Sequence, residues 1–352
     1  MAGQDDLHDV THLVADVVIV GAGPAGCATA LWAARKGLSV RVLHRPDRRS
    51  YSPGETLHPA IEPLLRQLGA EKALLEPGFE RHDGHFVEWN GERRFQPFGS
   101  DGDGTWRGFH ACRQVFDSGL RSAVARAGVV IDEVGGVVPI VDVDGAVTGI
   151  RHAGGTVSAG VVVDAAGAGH WLSRALALAM CRRSPRLVAR YGLVSGEPVD
   201  AGPLLTADLD GWTWTAPIAS GLTAWVRLPL DSATAASNDT PTALASVGPV
   251  AVAARGADVS WRCVTPLAGA GYMLVGDAAF VLDPLSSHGV LHAIMSGMMA
   301  ADMIAKHLVE RVPVHAAQTA YIDWSTDRFD TDIEHLRSMY AQMPNPPKWA
   351  MR

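Results

Sequence analysis

Between Val17 and Gly26 the chain reads Val-Val-Ile-Val-Gly-Ala-Gly-Pro-Ala-Gly. No other segment restricts the fold as much. The apolar run Val17–Val20 suits a parallel strand buried on both faces, and residues 25–36 suit the helix that follows. Gly21 permits the tight turn between them. Gly23 lets the backbone approach a pyrophosphate, and Gly26 lets helix and strand pack closely, with the helix N-terminus aimed at the phosphates. With Pro24 and Ala25 these glycines form the candidate dinucleotide cradle. Taken alone, the motif serves nicotinamide and flavin dinucleotides equally.

A second segment narrows the choice. Tyr272–Gly276 is another apolar strand, and it ends in Gly276-Asp277-Ala278-Ala279, where an acid opens a helix. A strand followed by Gly-Asp late in the chain is how FAD enzymes hold the ribityl chain and the ring, so the pair points to FAD. Val40–His44 reads as the second strand of the dinucleotide unit. Roughly 20 residues after the first glycine an Asp or Glu normally binds the ribose. Here His44 occupies that place, with Arg45 and Asp47 as the nearest substitutes.

Length and composition agree with an enzyme of one or two joined domains. The 352 residues are 47% hydrophobic and 19% charged, enough for a large core, and the formal net charge is −7. No basic cluster with interleaved aromatics appears, so no nucleic-acid partner is expected. No run of about 20 apolar residues appears either, so no spanning helix is expected. Met1–Thr11 is polar and unlike a secretory leader, and the four cysteines are widely spaced, with no Cys-x-x-Cys. A cytoplasmic chain without disulfides or metal is the expectation.

The remaining pattern is α/β. Helices are expected at 60–68, 113–127, 290–309 and 315–340, and strands at 84–89, 93–98, 106–110, 129–131, 137–143, 147–152 and 161–164. Those at 129–131, 137–143 and 147–152 read as a meander over the nucleotide domain. Strands at 187–194, 204–209, 212–218, 223–228 and 259–264 alternate like an antiparallel sheet. Ser232–Asp239 is a polar loop, and Met343–Pro347 a non-helical, disorder-prone end. The expected fold is a Rossmann-like FAD-binding domain with a parallel sheet and β-meander, an inserted, mainly antiparallel substrate sheet, and C-terminal helices. The expected boundaries are 14–184, 185–264 and 265–342.

Four ordered motifs, Gly21–Gly26, Arg113-x-x-Phe116-Asp117, Asp164-x-x-Gly167 and Gly276-Asp277, resemble those of the FAD-dependent aromatic monooxygenase superfamily, typified by p-hydroxybenzoate hydroxylase and the flavin-dependent tryptophan halogenases. The resemblance implies cofactor contacts from Arg113, Val137, Asp164, Gly167 and Asp277 besides the first cradle and His44 and Arg45. Gly54–Pro59 is similar to a loop lying over the flavin, which adds Glu55 and Thr56. Trp212-Thr213-Trp214-Thr215-Ala216-Pro217 is similar to a Trp-x-Trp-x-Ile-Pro signature, and offers Trp212 and Trp214 as substrate contacts; two Trp at i and i+2 also suit one face of a half-buried strand. The loop Asp283–Val290 implies that Pro284, Ser287, His288, Gly289 and Val290 face the ring.

By the same resemblance a halogenase would use a tunnel Lys and a loop Glu. Aligned on Phe86 and Trp89 the first position falls at Arg81, and aligned on Asp283-Pro284-Leu285 the second falls at Ser286. Leu285–Leu291 is also similar to flavoprotein maturases that hydroxylate Trp in a precursor protein. The resemblance therefore implies a monooxygenase. Reduced flavin takes up molecular oxygen at C4a as a hydroperoxide, and oxygen passes to an electron-rich ring, an indole by preference. That indole is a Trp side chain, peptide- or protein-bound forms included, or one on a carrier. NAD(P)H supplies electrons directly or through a flavin reductase. His288, Arg81 and His58 are the catalytic candidates, with His288 as proton acceptor. Halogenation, and hydride transfer by a dehydrogenase or reductase, stay open as alternatives.

Overall fold

The computed structural model describes residues 12–46, 55–89, 91–196, 202–219, 221–230 and 240–351. Asp47, Gly54, the 232–239 loop and the first eleven residues lie outside them. The apolar stretch at the start forms a strand, His12–Val20, longer than the pattern predicted because residues 12–15 also pair with 156–159 of the neighbouring strand. Helix Pro24–Arg35 follows and strand Val40–His44 returns parallel to the first. Val17 to Val20 are all buried, as a strand covered on both faces requires.

The central sheet has eight strands. Its parallel part runs Val130–Glu133, Val40–His44, His12–Val20, Gly155–Asp164 and Tyr272–Leu274. Strand Gly155–Asp164 changes partner along its length. Its first half pairs antiparallel with Val147–His152, and its end pairs parallel with Tyr272–Leu274. The meander is therefore smaller than expected. Only 138–141 and 147–152 form it, while the 129–131 segment joins the parallel edge beside Val40–His44, where Arg41 and Asp132 make an ion pair across the strands.

A second sheet has seven strands. Its order is Val250–Asp258, Val188–Ser195, Leu222–Pro229, Gly211–Ala219, Leu204–Ala207, Gly84–Trp89 and Glu92–Pro97. All pairs are antiparallel except Leu204–Ala207 with Gly84–Trp89. The sheet thus also draws on residues 84–97, far from its main segment in sequence. Strand Val250–Asp258 was not expected. It is an edge strand rich in Ala and half exposed, so it lacks an apolar alternation. Ala179–Arg182 was missed too. It pairs with Arg262–Thr265, the strand expected to begin at 259.

Helix Gly289–Leu308 packs along Pro24–Arg35 at very short range. A Cβ on Gly297 would lie 2.4 Å from the Ala25 carbonyl oxygen, so only glycine fits there. The C-terminal helix Val314–Tyr340 spans roughly 40 Å and links both sheets. Near its start Gln318 donates to the Gly269 carbonyl and Tyr321 to that of Leu274; at its end Tyr340 meets Trp212 of the second sheet.

The tail after this helix is not loose. Met343 and Ala350 are buried, and Trp349 packs edge-on against Trp261 with centroids 5.0 Å apart and against Tyr340 at 5.6 Å. Its prolines prevent a helix but not docking. Trp349→Ala should cost about 3 kcal/mol, read as a lower urea midpoint; an unchanged midpoint would remove the tail from the core.

Candidate functional site

The first turn behaves as a cradle with one open position. Gly21 has φ +112, and a Cβ there would sit 2.3 Å from the Ala165 carbonyl oxygen. A Cβ on Gly26 would sit 2.0 Å from the Gly21 carbonyl oxygen. The fold itself therefore demands both glycines. At Gly23 nothing lies within 4 Å of the Cβ position and the backbone is extended, so no neighbour in the protein requires glycine. The Pro24–Arg35 helix begins there with no side-chain cap and no acid in its first turn. Uncapped amides carry the positive end of the helix dipole and call for an anionic acceptor. A pyrophosphate fits.

The neighbouring strand ends complete the cradle. Asp164 is fully buried, accepts from the Ala166 and Leu172 amides at 2.8 and 2.9 Å, and has its carboxyl raised by burial. It thus organises the 165–172 loop, including Gly167 at φ +80, and has the role of a cap. Val137 accepts from the Trp171 indole, which ties the meander to this loop. Gly276 starts the turn that carries exposed Asp277, and a Cβ on Gly276 would be 2.9 Å from that of Ala25. The two glycine motifs meet in space as a flavin dinucleotide needs. His44 lies half-buried at its strand end and Arg45 is exposed beyond it. Arg113 forms a two-point ion pair with Asp117, at 3.1 Å for each contact.

The second helix N-terminus is built by Asp283. This buried carboxylate accepts from the Leu285 amide at 3.0 Å, the Trp261 indole at 2.5 Å and the Tyr340 hydroxyl at 3.0 Å. It bends residues Pro284–Ser286 into a turn, Ser287 adopts φ +55, and His288 becomes the N-cap of the Gly289–Leu308 helix. That helix also starts without a side-chain cap, and nothing lies within 4 Å of a Cβ on Gly289. The amides around Gly289 and Val290 are suited to an electron-rich ring edge.

Above this loop is a cavity of about 410 Å³. Its walls come from the second sheet (His85, Val87, Trp89, Leu205, Trp212 and Trp214), from Thr56, His58, His82 and Phe98, and from the loop Pro284–His288. The C-terminal helix closes it with His335 and Met339. Trp212 is buried and donates to Tyr340 at 3.1 Å, while Trp214 is only partly buried. Trp225 of the same sheet faces the other way, into a satellite core with Val194 and Leu244. Pairing with Thr215 puts it on the opposite parity from Trp214.

The histidines differ in their surroundings. His58 accepts from the Ala60 amide through Nδ1, and burial, reinforced by His288 and Arg328, pushes its pKa down to about 4. It is a neutral ring with its proton on Nε2. His82 stacks on His110 at 4.4 Å and places Nδ1 2.9 Å from the Gly84 carbonyl. Burial lowers His82, and burial with His82 lowers His110 to about 3. His288 has its ring centroid 5.6 Å from that of His58 on one side and 5.6 Å from that of His335 on the other, and its Nδ1 lies 3.5 Å from Asp332.

Of the sequence candidates, His288, His58, Thr56, Pro284, Ser287, Trp212 and Trp214 meet at this cavity. Arg81 does not line it. Its guanidinium is held by Glu62 at 2.7 Å and by the Arg107 carbonyl at 2.9 Å, over the Phe109 ring. The cavity residue on that strand is His82, one position on, as strand alternation allows. Glu55 lies on a strand beside Ala111, and its side chain is not described. Sequence reading also missed His335 and Asp332. Their signal was the stripe Arg328, Asp332, His335 and Met339 at helical spacing. His288 and His292 likewise stand four apart, but among the described residues no group of three His, Cys, Asp or Glu could hold a metal ion.

The chain matches the FAD binding domain family over residues 14–187 and the tryptophan halogenase family over residues 103–345. It is 28% identical to the tryptophan 2-halogenase of Chondromyces crocatus, covering 87% of this chain but 64% of that protein, so it spans under two thirds of that relative's length. It is 27% identical to the 1H-pyrrole-2-carbonyl-[peptidyl-carrier protein] brominase of Pseudoalteromonas luteoviolacea, over 94% of this chain and 88% of the relative. It is also 29% identical to the menaquinone reductase of Mycolicibacterium smegmatis, over 82% and 76%. Among solved structures, the myxobacterial chondrochloren halogenase CndH aligns with TM-score 0.85 at 23% identity, over 95% of this chain and 84% of that one, which shows a shared fold. The peptidyl tryptophan dihydroxylase QhpG aligns with TM-score 0.73 at 25% identity, over 96% and 78%. No helix among the described residues is long and apolar enough to cross a membrane.

Two outcomes test this geometry. Gly23→Ala should leave the unfolding of FAD-free protein unchanged within about 0.5 kcal/mol and weaken FAD binding at least tenfold by fluorescence titration. Equal FAD affinity would move the pyrophosphate elsewhere. The second concerns Asp283, whose carboxyl burial pushes up to about 6 despite its three donors. An unfolded Asp titrates near 3.9. The folded protein therefore holds this proton more tightly, and the resulting stabilisation is complete below about pH 4 and lost as pH rises through about 6. Asp283→Asn should flatten the urea midpoint between those values; an unaltered slope would reject the assignment.

Proposed function

The chain belongs to the tryptophan halogenase family, and from that membership we propose that this FAD-dependent oxidoreductase inserts oxygen into an indole ring. One observation carries the choice of oxygen over halogen. The cavity beyond the ring-facing loop pairs Trp212 and Trp214 with His288, and no lysine is among the described residues lining it. The halogenase Lys position fell at Arg81, which is engaged with Glu62, and the Glu position is Ser286. Arg stays protonated and is no substitute for a nucleophilic amine.

Bound FAD, once reduced, supplies the activation of dioxygen. Electrons would come from NAD(P)H, directly or through a flavin reductase. One oxygen atom enters the ring and the other leaves as water. The protein's part is to place and to deprotonate. The Gly21–Gly26 turn and the first helix amides would hold the pyrophosphate, and the Pro284–Val290 backbone the ring edge. Trp214, the less buried of the two tryptophans, would offer a flat face against which an indole packs. His288 would take the proton released at the carbon that gains oxygen. The likeness to a peptidyl tryptophan dihydroxylase supports a Trp side chain within a peptide or protein as substrate, and the carrier-protein-linked pyrrole of the brominase relative supports a tethered ring more generally.

Halogenation is the second reading, favoured by the family match over residues 103–345 and by both halogenating relatives. The menaquinone reductase relative keeps hydride transfer as a third. One experiment separates them. The FAD-loaded protein is supplied with a flavin reductase, NADH, air and bromide, and is given indole, phenols, N-acetyl-tryptophanamide and Trp peptides. Mass gain by oxygen on the indoles is expected. Bromine incorporation would establish the second reading, and a product with added hydrogen but no oxygen the third. His288→Ala should slow oxygen insertion roughly a hundredfold with FAD affinity unchanged; full activity would reject the imidazole as proton acceptor.

A further inference from the structure

His288 stands among other imidazoles. His58 meets it edge-on from the loop after the Glu55–Leu57 strand, and His335 stacks on it from the C-terminal helix with 15° between the planes. His292 lies one turn along its own helix, buried, with both ring nitrogens lacking a hydrogen-bond partner and its ring 3.8 Å from Phe280. Burial holds His292 down to about 3, and burial together with His288 lowers His335. None of these rings welcomes a proton, and each would repel one placed on His288.

One group opposes that repulsion. Asp332 projects from the C-terminal helix with a side chain only 5% exposed, and its Oδ1 lies 3.5 Å from His288 Nδ1. Its other oxygen faces Arg328 Nε at 3.6 Å. Burial alone would raise this carboxyl, but the contact with His288 and the charge of Arg328 outweigh it and hold it below its usual value. A buried carboxylate is tolerated where a cationic partner is present or forms. At 3.5 Å the contact is long for a hydrogen bond, as such contacts often are before substrate enters.

We propose that Asp332 is the positioning residue for His288: it keeps the ring proton on Nδ1, turns bare Nε2 to the cavity, and supplies the counter-charge when Nε2 accepts the proton of the substrate ring. This inference rests on the reading of His288 as proton acceptor. The balance is simple. The substrate C–H bond gives its electron pair back to the ring, the proton forms an N–H bond at Nε2, and the imidazolium so made is paired with Asp332. His58, His292, His335 and Arg328 are the remaining titratable or charged groups around His288, and Asp332 is the only anion that faces it among the described residues.

The test uses FAD-loaded protein carrying 15N-labelled histidine, with the His288 signals assigned by their loss in His288→Gln. In the unaltered protein at neutral pH, long-range 15N–1H correlations should show the Nδ1–H tautomer at His288. The Nε2–H tautomer would overturn the proposal whether or not any variant folds. In Asp332→Asn that preference should be lost, and oxygen insertion into N-acetyl-tryptophanamide should fall about tenfold in kcat with KM changed less than twofold. The acid limb of the pH–rate profile should move to lower pH, because the carboxylate favours the protonated ring. Asp332→Glu should restore the limb at least in part. An unmoved limb with a lowered rate would mean that Asp332 is merely structural, and would overturn the proposal. If the unaltered protein forms no oxygenated product, the proposed reaction fails, and the tautomer measurement still decides the hold of Asp332 on His288.

Discussion

The Asp283 carboxylate is the point on which the cavity hangs. Removing a carboxylate from water costs several kcal/mol unless donors replace the solvent. Here Trp261, Tyr340 and the Leu285 amide offset part of that cost, and burial still raises the carboxyl to about 6. Tyr340 in turn accepts from Trp212. One buried group therefore fixes the Pro284–Ser286 turn, the end of the C-terminal helix and a wall of the second sheet. Losing any of these donors would leave a buried acceptor short of a partner, which costs more than the bond itself contributes. The same network sets the backbone that makes His288 an N-cap, and so decides which residues can reach the cavity.

A second constraint operates at the nucleotide end. Helices Pro24–Arg35 and Gly289–Leu308 run against each other through Gly297 and Ala25. The Gly276 amide donates to Ser296 at 2.9 Å and brings the second glycine motif to the same place. Small residues here do more than allow packing. They set the first turn of Pro24–Arg35 against the third turn of Gly289–Leu308, at a separation no larger side chain would permit.

The parallel core was legible because its signals are local. Val17–Val20 is a run of buried strand residues, Gly21 and Gly26 are demanded by contacts within a few angstroms, and Gly69 ends its helix in the left-handed region as glycine does. The failures are those of non-local pairing. Val250–Asp258 has little alternation because it is an edge strand, and Val130–Glu133 looked like part of a meander because nothing in four residues says which neighbour a strand will choose. The tail looked disordered from its prolines, yet Trp349 finds Trp261 and Tyr340 only once both sheets are in place.

By itself the sequence determined the dinucleotide fold, the FAD cradle and the presence of an imidazole at the helix start, since each follows from residue type and short-range spacing. Tertiary structure alone decided which side chains share the cavity. Strand parity turned His82 inward and committed Arg81 to Glu62. Pairing register sent Trp225 away from Trp212 and Trp214. A helix that begins at the nucleotide sheet carried Asp332 and His335 to His288, which precedes them by more than forty positions in the chain. Electrostatic environment is made by groups distant in sequence, so the chemistry of His288 had to wait for the fold.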